Sequence, residues 1–147
     1  MIIKSLEHLY IFSRKVADQL SKNDLIYLKG EIGVGKTTFT RNLINYLQNK
    51  EGLKTTEVLS PTFNLLYEYD LNNYKIMHYD LYRIKEENEL INLGLYSNIP
   101  NVIKIVEWPD LIKNPSSNRL EIYMSYSKME NEREIKVIGT GKWQNFK

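Results

Sequence analysis

Apolar positions along the chain repeat with two different periods, and the switches between them mark out the elements. From Ser5 onward, Leu6, Leu9, Tyr10, Val16, Ala17 and Leu20 recur at three- and four-residue steps with the small Ser13 among them. That spacing predicts an amphipathic helix capped by the Ser5 hydroxyl. Residues 24–29 (DLIYLK) form a short apolar run between a polar cluster and a glycine, the pattern of a buried strand. After a glycine-rich turn, Phe39, Leu43, Ile44 and Leu47 return to the helical period. Residues 64–70 and 74–80 read as two strands around a Leu71-Asn72-Asn73 turn. Residues 85–93 read as a short charged helix stopped by Gly94. A further buried strand is predicted over 102–106, ended by Glu107-Trp108-Pro109, and 119–127 with 134–138 flank the polar tip KMENER as a second hairpin. Between these elements Ser60 precedes Pro61 and so leaves the right-handed helical region, which makes the stretch from Val58 an extended loop. Strands and helices interleave with no internal repeat and no long linker, which predicts an α/β fold in a single domain over 1–147.

Composition narrows the function classes. The 147 residues and 17.4 kDa suit one domain and leave little room for a second catalytic or lid domain. Lys plus Arg is 20 and Asp plus Glu is 18, a formal charge of +2, too weak to mark a nucleic-acid or membrane-surface protein by charge alone. There is no cysteine, which excludes disulfides, iron–sulfur clusters and thiolate zinc sites, and the two histidines, His8 and His78, cannot build a His-rich metal site. The start of the chain is charged throughout and no segment has eighteen consecutive apolar residues, so a soluble, cytoplasmic protein is expected.

Residues 30–37, GEIGVGKT, fit the Walker A pattern G-x-x-x-x-G-K-[ST] at every fixed position. Glycines let the backbone wrap so that successive N–H groups point at phosphate oxygens, and the helix that follows presents its positive end to the same anion. Lys36 adds a mobile charge for the β and γ phosphates, and Thr37 a hydroxyl for Mg²⁺. The pattern follows a predicted strand and opens a predicted helix, the context the motif requires, so a nucleoside triphosphate with Mg²⁺ is the expected ligand. Such a site also needs an acid near the metal. Asp80 and Glu107 each end a predicted strand, where they could hold the metal directly or through water, or merely serve as turn or cap residues. Thr62, in the Ser60-Pro61-Thr62-Phe63 loop, is placed where switch loops sense a γ-phosphate, though a Pro-terminated turn with Phe63 in the core reads equally from these residues. His78 reads as a ligand contact or as a satisfied histidine beside a strand, and Trp108 as a nucleotide cover or as core-edge packing.

Taken in order over about eighty residues, GEIGVGKTT, SPTF, HYDLYR and EWPD make the chain resemble the TsaE (YjeE) family, the bacterial ATPase required for making threonylcarbamoyladenosine at position 37 of tRNAs that read ANN codons. The resemblance covers nearly the whole chain. It implies a P-loop NTPase fold, mostly parallel in its sheet with antiparallel additions and flanking helices, that binds ATP or ADP with Mg²⁺. Carried onto this sequence, Gly33, Val34, Gly35, Lys36, Thr37 and Thr38 would cradle the phosphates, and Thr37 with Glu107 would hold Mg²⁺. Asp80 would stand near the metal or attacking water and Thr62 in the switch-like loop. Trp108 would border the site and Arg133 would be a nucleotide contact near the C-terminus. Leu9 and Ser13 depart from the family's Thr and Gly at the adenine edge, and Glu31, Ile32 and Val34 replace its common Asp, Leu and Ala. The resemblance further implies that the protein does not transfer the threonylcarbamoyl group. It would act on the complex of TsaD and TsaB, meeting tRNA only indirectly and neither membrane nor DNA. Two other readings compete: a small-molecule kinase using the same loop, and a nucleotide-dependent binding switch that barely hydrolyses.

Overall fold

In the computed structural model, which describes residues 1–147, the elements run β1 (Ile2–Ile3), α1 (Leu6–Ala17), β2 (Leu25–Lys29), α2 (Lys36–Lys50), β3 (Leu66–Asp70), β4 (Lys75–Asp80), α3 (Glu87–Asn92), β5 (Val102–Glu107), β6 (Arg119–Tyr126) and β7 (Arg133–Thr140). Short 3₁₀ turns follow β5 at Pro109–Leu111 and β7 at Gly141–Asn145. The seven strands form one sheet in the order β1-β7-β6-β2-β5-β4-β3. The central strands β6, β2, β5 and β4 pair in parallel, while β1–β7, β7–β6 and β4–β3 are antiparallel. The sheet is therefore mixed rather than mostly parallel. Parallel pairing is confined to strands joined by crossovers, and the two hairpins widen the sheet at its edges.

Side-chain alternation assigns the two faces. Ile26 and Leu28 of β2, Ile76 of β4, and Ile103 and Ile105 of β5 point into a 23-residue apolar cluster beneath α1 and α2. Their neighbours Tyr27, Met77, Tyr79, Val102 and Val106 point the other way, into a 9-residue cluster closed by Leu90 of α3 and the segments around Leu81 and Leu95. By the same alternation His78, Asp80 and Glu107 fall on the α1/α2 face, at the carboxyl ends of β4 and β5. Strand pairing sets Asp80 directly beside Glu107 and His78 beside Ile105.

Local chemistry explains most element ends. The Ser5 hydroxyl accepts from the His8 amide at 3.2 Å and starts α1, which stops at Ala17, one turn before Leu20. Helix α3 is shorter than the charge pattern suggests. Glu86 and Glu89 form a reciprocal capping box that starts it at Glu87, and Gly94 at φ 70° follows its end. Strand β3 begins at Leu66 because Leu65 sits at φ 67°, outside any strand geometry. No helix is long and apolar enough to cross a membrane.

Candidate functional site at the carboxyl ends of the central strands

The loop between β2 and α2 is shaped by its glycines. Gly30 has φ 143°, and a Cβ there would overlap the carbonyl of Met124 on the adjacent β6. Gly35 has φ 119° and is the N-cap of α2 with no side-chain cap, which leaves the first amides of the helix open to an anion. The loop is also pinned from outside: the Tyr126 hydroxyl donates to Ile32 O at 2.9 Å. Val34 turns its side chain into the core and its amide donates to Glu31 O at 3.3 Å, so it shapes the turn from within.

Lys36 is buried, and its ammonium folds back to donate to Gly30 O at 2.6 Å and Glu31 O at 2.8 Å. The same group lies 4.3 Å from the centre of the Trp108 ring. Burial pulls its pKa below the ordinary lysine value, against the opposing pull of Glu107 and Asp80. Trp108 is held at φ 58°, a left-handed setting that turns the ring back over the loop, and the Tyr82 ring packs against it with centres 4.9 Å apart and planes tilted by 48°.

The acids differ in how they are engaged. Asp80 accepts on both oxygens: Thr62 Oγ1 at 2.9 Å and Ser60 Oγ at 3.3 Å on Oδ2, and the Tyr82 amide at 2.9 Å on Oδ1. Ser60 and Thr62 also bond each other at 2.8 Å, so Asp80 ties the extended 60–62 loop to the sheet. Glu107 accepts from Thr37 Oγ1 at 3.1 Å and meets His78 Nε2 at 3.1 Å, both on Oε1. Together Gly33, Gly35, Lys36, Thr37, Thr38, Thr62, Asp80, Glu107 and Trp108 line one cleft of about 330 Å³, with Ile32, Ser60 and Tyr82.

Of the residues singled out in the sequence, Val34 and His78 are not among the cleft walls, and neither is Arg133. Its guanidinium covers the Tyr126 ring at 4.5 Å and donates to Glu130 O and Glu132 O, so it reaches the glycine loop only through Tyr126. Leu9 is buried and packs toward Gly35, and the Ser13 hydroxyl donates to Leu9 O within α1. Three participants were not assigned a role from sequence. Ser60 lay inside a quoted motif, and Tyr82 follows Asp80 by two residues, the spacing of an Asx turn. Tyr126 carries no local signal at all. A larger hollow of about 480 Å³ opens at the opposite ends of the strands, near Tyr27, Tyr96 and Lys104. Its amine, Lys104, is engaged by Leu95 O and Ser97 O, so the glycine loop and both acids favour the smaller cleft.

The donor set suits a phosphate ester with a hard divalent cation. The start of α2, the Lys36 ammonium, the Thr37 hydroxyl and the carboxylates of Asp80 and Glu107 line the same cleft. No three His, Asp or Glu side chains converge into a metal cage, which is compatible with a cation held largely by phosphate and water oxygens.

A mixed sheet flanked by helices on both faces, with a Walker A sequence at a strand–helix junction and two acids on neighbouring strand ends, defines an α/β protein with a candidate ligand cleft at the carboxyl edge of its parallel strands. Residues 3–135 match the family model described as threonylcarbamoyl adenosine biosynthesis protein TsaE. The chain belongs to the TsaE family. A Rickettsia typhi protein named tRNA threonylcarbamoyladenosine biosynthesis protein TsaE is 39% identical, over 92% of this chain and 88% of its own. The Rickettsia conorii protein of the same name is 33% identical, over 97% of this chain and 79% of its own. The crystal structure of YdiB from Bacillus subtilis aligns with a TM-score of 0.71 at 26% identity, covering 97% of this chain and 85% of that one.

Proposed function

We propose that this protein is a P-loop ATPase that binds ATP or ADP with Mg²⁺ and serves threonylcarbamoylation of adenosine 37 in tRNA as an accessory subunit, acting on TsaD and TsaB in the cytoplasm. Family membership supports the pathway. The observation that carries the chemistry is the Thr37–Glu107 contact across the cleft, beside the ammonium of Lys36. A bound nucleotide with its Mg²⁺ would supply the phosphoanhydride and neutralise charge on the phosphate oxygens.

The chain's own residues then divide the work. Gly33, Gly35, Lys36, Thr37 and Thr38 bind phosphate oxygens through amides and side chains, with Lys36 exchanging the Gly30 and Glu31 carbonyls for that partner. Thr37 and Glu107 hold the cation, while Asp80 orients water near it and keeps Thr62 at the mouth of the cleft. Trp108 and Tyr82 shield the Lys36 ammonium from solvent, which strengthens its pull on an anion. Low turnover by the isolated chain and faster phosphate release on adding TsaD and TsaB are expected; phosphate release unchanged by those partners would overturn the accessory-subunit reading.

One observation favours a second reading. The 60–62 loop is bonded to Asp80 through two hydroxyls, an arrangement that a nucleotide can remake, so the bound state itself could be the signal to partners. Glu107→Ala separates the two. Loss of both hydrolysis and tRNA modification supports the ATPase, whereas modification persisting without hydrolysis supports the switch.

A further inference from the structure

His78 is fully buried on β4, yet it does not line the cleft. Apolar chains surround its place in the sheet: Ile76 precedes it on the same face and Ile105 is its register partner on β5. A leucine would satisfy that packing, so the imidazole needs another explanation. Its Nε2 lies 3.1 Å from Glu107 Oε1. That oxygen already accepts from Thr37, and the imidazole tautomer that completes the contact carries its hydrogen on Nε2 and donates. The second ring nitrogen, Nδ1, is buried with no partner at all. As a bare lone pair this costs less than an orphaned N–H would, and it fixes the ring's one useful hydrogen bond as the bond to Glu107.

The consequence lies in which oxygen is held. Both Thr37 and His78 bond Oε1, which leaves Oε2 as the oxygen without a side-chain donor. Of the two donors, Thr37 is the one that also faces the cleft, and its hydroxyl would turn to a divalent cation when nucleotide binds. His78 would then be the remaining anchor of Oε1. We infer that His78 is a positioning residue: it sets the plane of the Glu107 carboxylate for the divalent cation, and so controls the metal-dependent part of nucleotide binding without touching the nucleotide. This inference rests on the Mg²⁺–nucleotide reading proposed above.

The test measures binding of a fluorescent ADP analogue by the full chain, first in EDTA and then across an Mg²⁺ titration. Three variants are compared with the unchanged protein. His78→Leu keeps volume and removes the donor, His78→Gln places an amide donor at the reach of Nε2, and His78→Asn keeps polarity but is too short. The inference expects affinity in EDTA within about twofold for all, since the phosphate cradle is intact. The Mg²⁺ concentration for half-maximal tightening should rise about tenfold or more in His78→Leu and His78→Asn, about the loss of one hydrogen bond to a charged group. His78→Gln should recover most of it. A merely structural role predicts instead that EDTA affinity and thermal stability fall together and that Gln and Asn behave alike. Either that pattern, or an Mg²⁺ requirement unchanged in all variants, overturns the inference. Should His78→Leu fail to fold, the Gln–Asn contrast decides alone. If the unchanged protein binds the analogue without any Mg²⁺ dependence, the reading beneath falls too, which distinguishes the two failures.

Discussion

Lys36 shows how one side chain can be prepared for a ligand. Its ammonium is removed from water and compensated only by two loop carbonyls and the Trp108 face, with Glu107 and Asp80 too far for direct ion pairs. A phosphate would offer a full opposite charge in the same place, so the exchange should be favourable. Replacing it (Lys36→Ala) is expected to weaken binding of an ATP analogue by about 1.5–3 kcal/mol, roughly ten- to a hundredfold. The direction of its pKa gives an independent check. Because burial lowers that pKa from 10.5, the folded protein releases the proton before free lysine would. In the absence of ligand, the charged form is the disfavoured one, so this group's stability penalty is relieved as pH rises through its folded value toward 10.5. Phosphate binding needs the charged form, so analogue affinity should fall over that alkaline window. It should stay flat in Lys36→Arg, whose guanidinium keeps its charge. A wild-type affinity constant up to 10.5 would show that the ammonium does not face the ligand.

At the scale of elements, the glycine loop depends on the strand beside it. Parallel register sets Lys29 beside Tyr123, which brings the next residues, Gly30 and Met124, together at the carboxyl edge. Gly30→Ala therefore meets two costs, a positive φ and overlap with Met124 O, and a loss on the order of 2 kcal/mol or more is expected in denaturant unfolding. Gly52→Ala provides the control, since Gly52 has φ 71° but open space around it, and should lose only about 1 kcal/mol from backbone strain. Equal losses would mean that β6 does not confine the loop. This dependence also marks the limit of sequence reading. Helix α1, helix α2 and the strand–loop–helix order were legible because their apolar spacing is long and regular, and Lys36, Thr37, Asp80 and Glu107 were legible from motif and strand ends. Strand β1 was not, since two residues show no period, and neither was the turn that buries Trp143. The Tyr126 contact with Ile32 joins residues 94 apart, and Arg133 could be placed on Tyr126 rather than against the cleft only once the β6–β7 hairpin was seen folded.

For the molecule as a whole, the cleft draws its walls from segments anchored in both apolar clusters. Lys36, Thr37 and Thr38 open α2, whose Phe39, Leu43 and Ile44 belong to the larger cluster. Trp108 and the neighbours of Asp80 and Glu107, namely Tyr79, Leu81 and Val106, belong to or pack on the smaller one. A ligand bridging α2 to the ends of β4 and β5 would therefore oppose unfolding of both faces of the sheet at once. Linkage sets the size: at a free concentration one hundred times its dissociation constant, a ligand bound only by the folded state adds ~2.7 kcal/mol. For a chain of this length that is a rise in Tm of roughly 5–10 °C. ADP with Mg²⁺ should produce one cooperative transition shifted by that amount. The shift should shrink in Lys36→Ala at the same ligand concentration, because affinity has fallen. If the ligand instead protected only α2 and its loop, the melt would split and hydrogen exchange in β4 and β5 would be unchanged. That outcome would place the bound nucleotide on the glycine loop alone and remove Asp80 and Glu107 from its site.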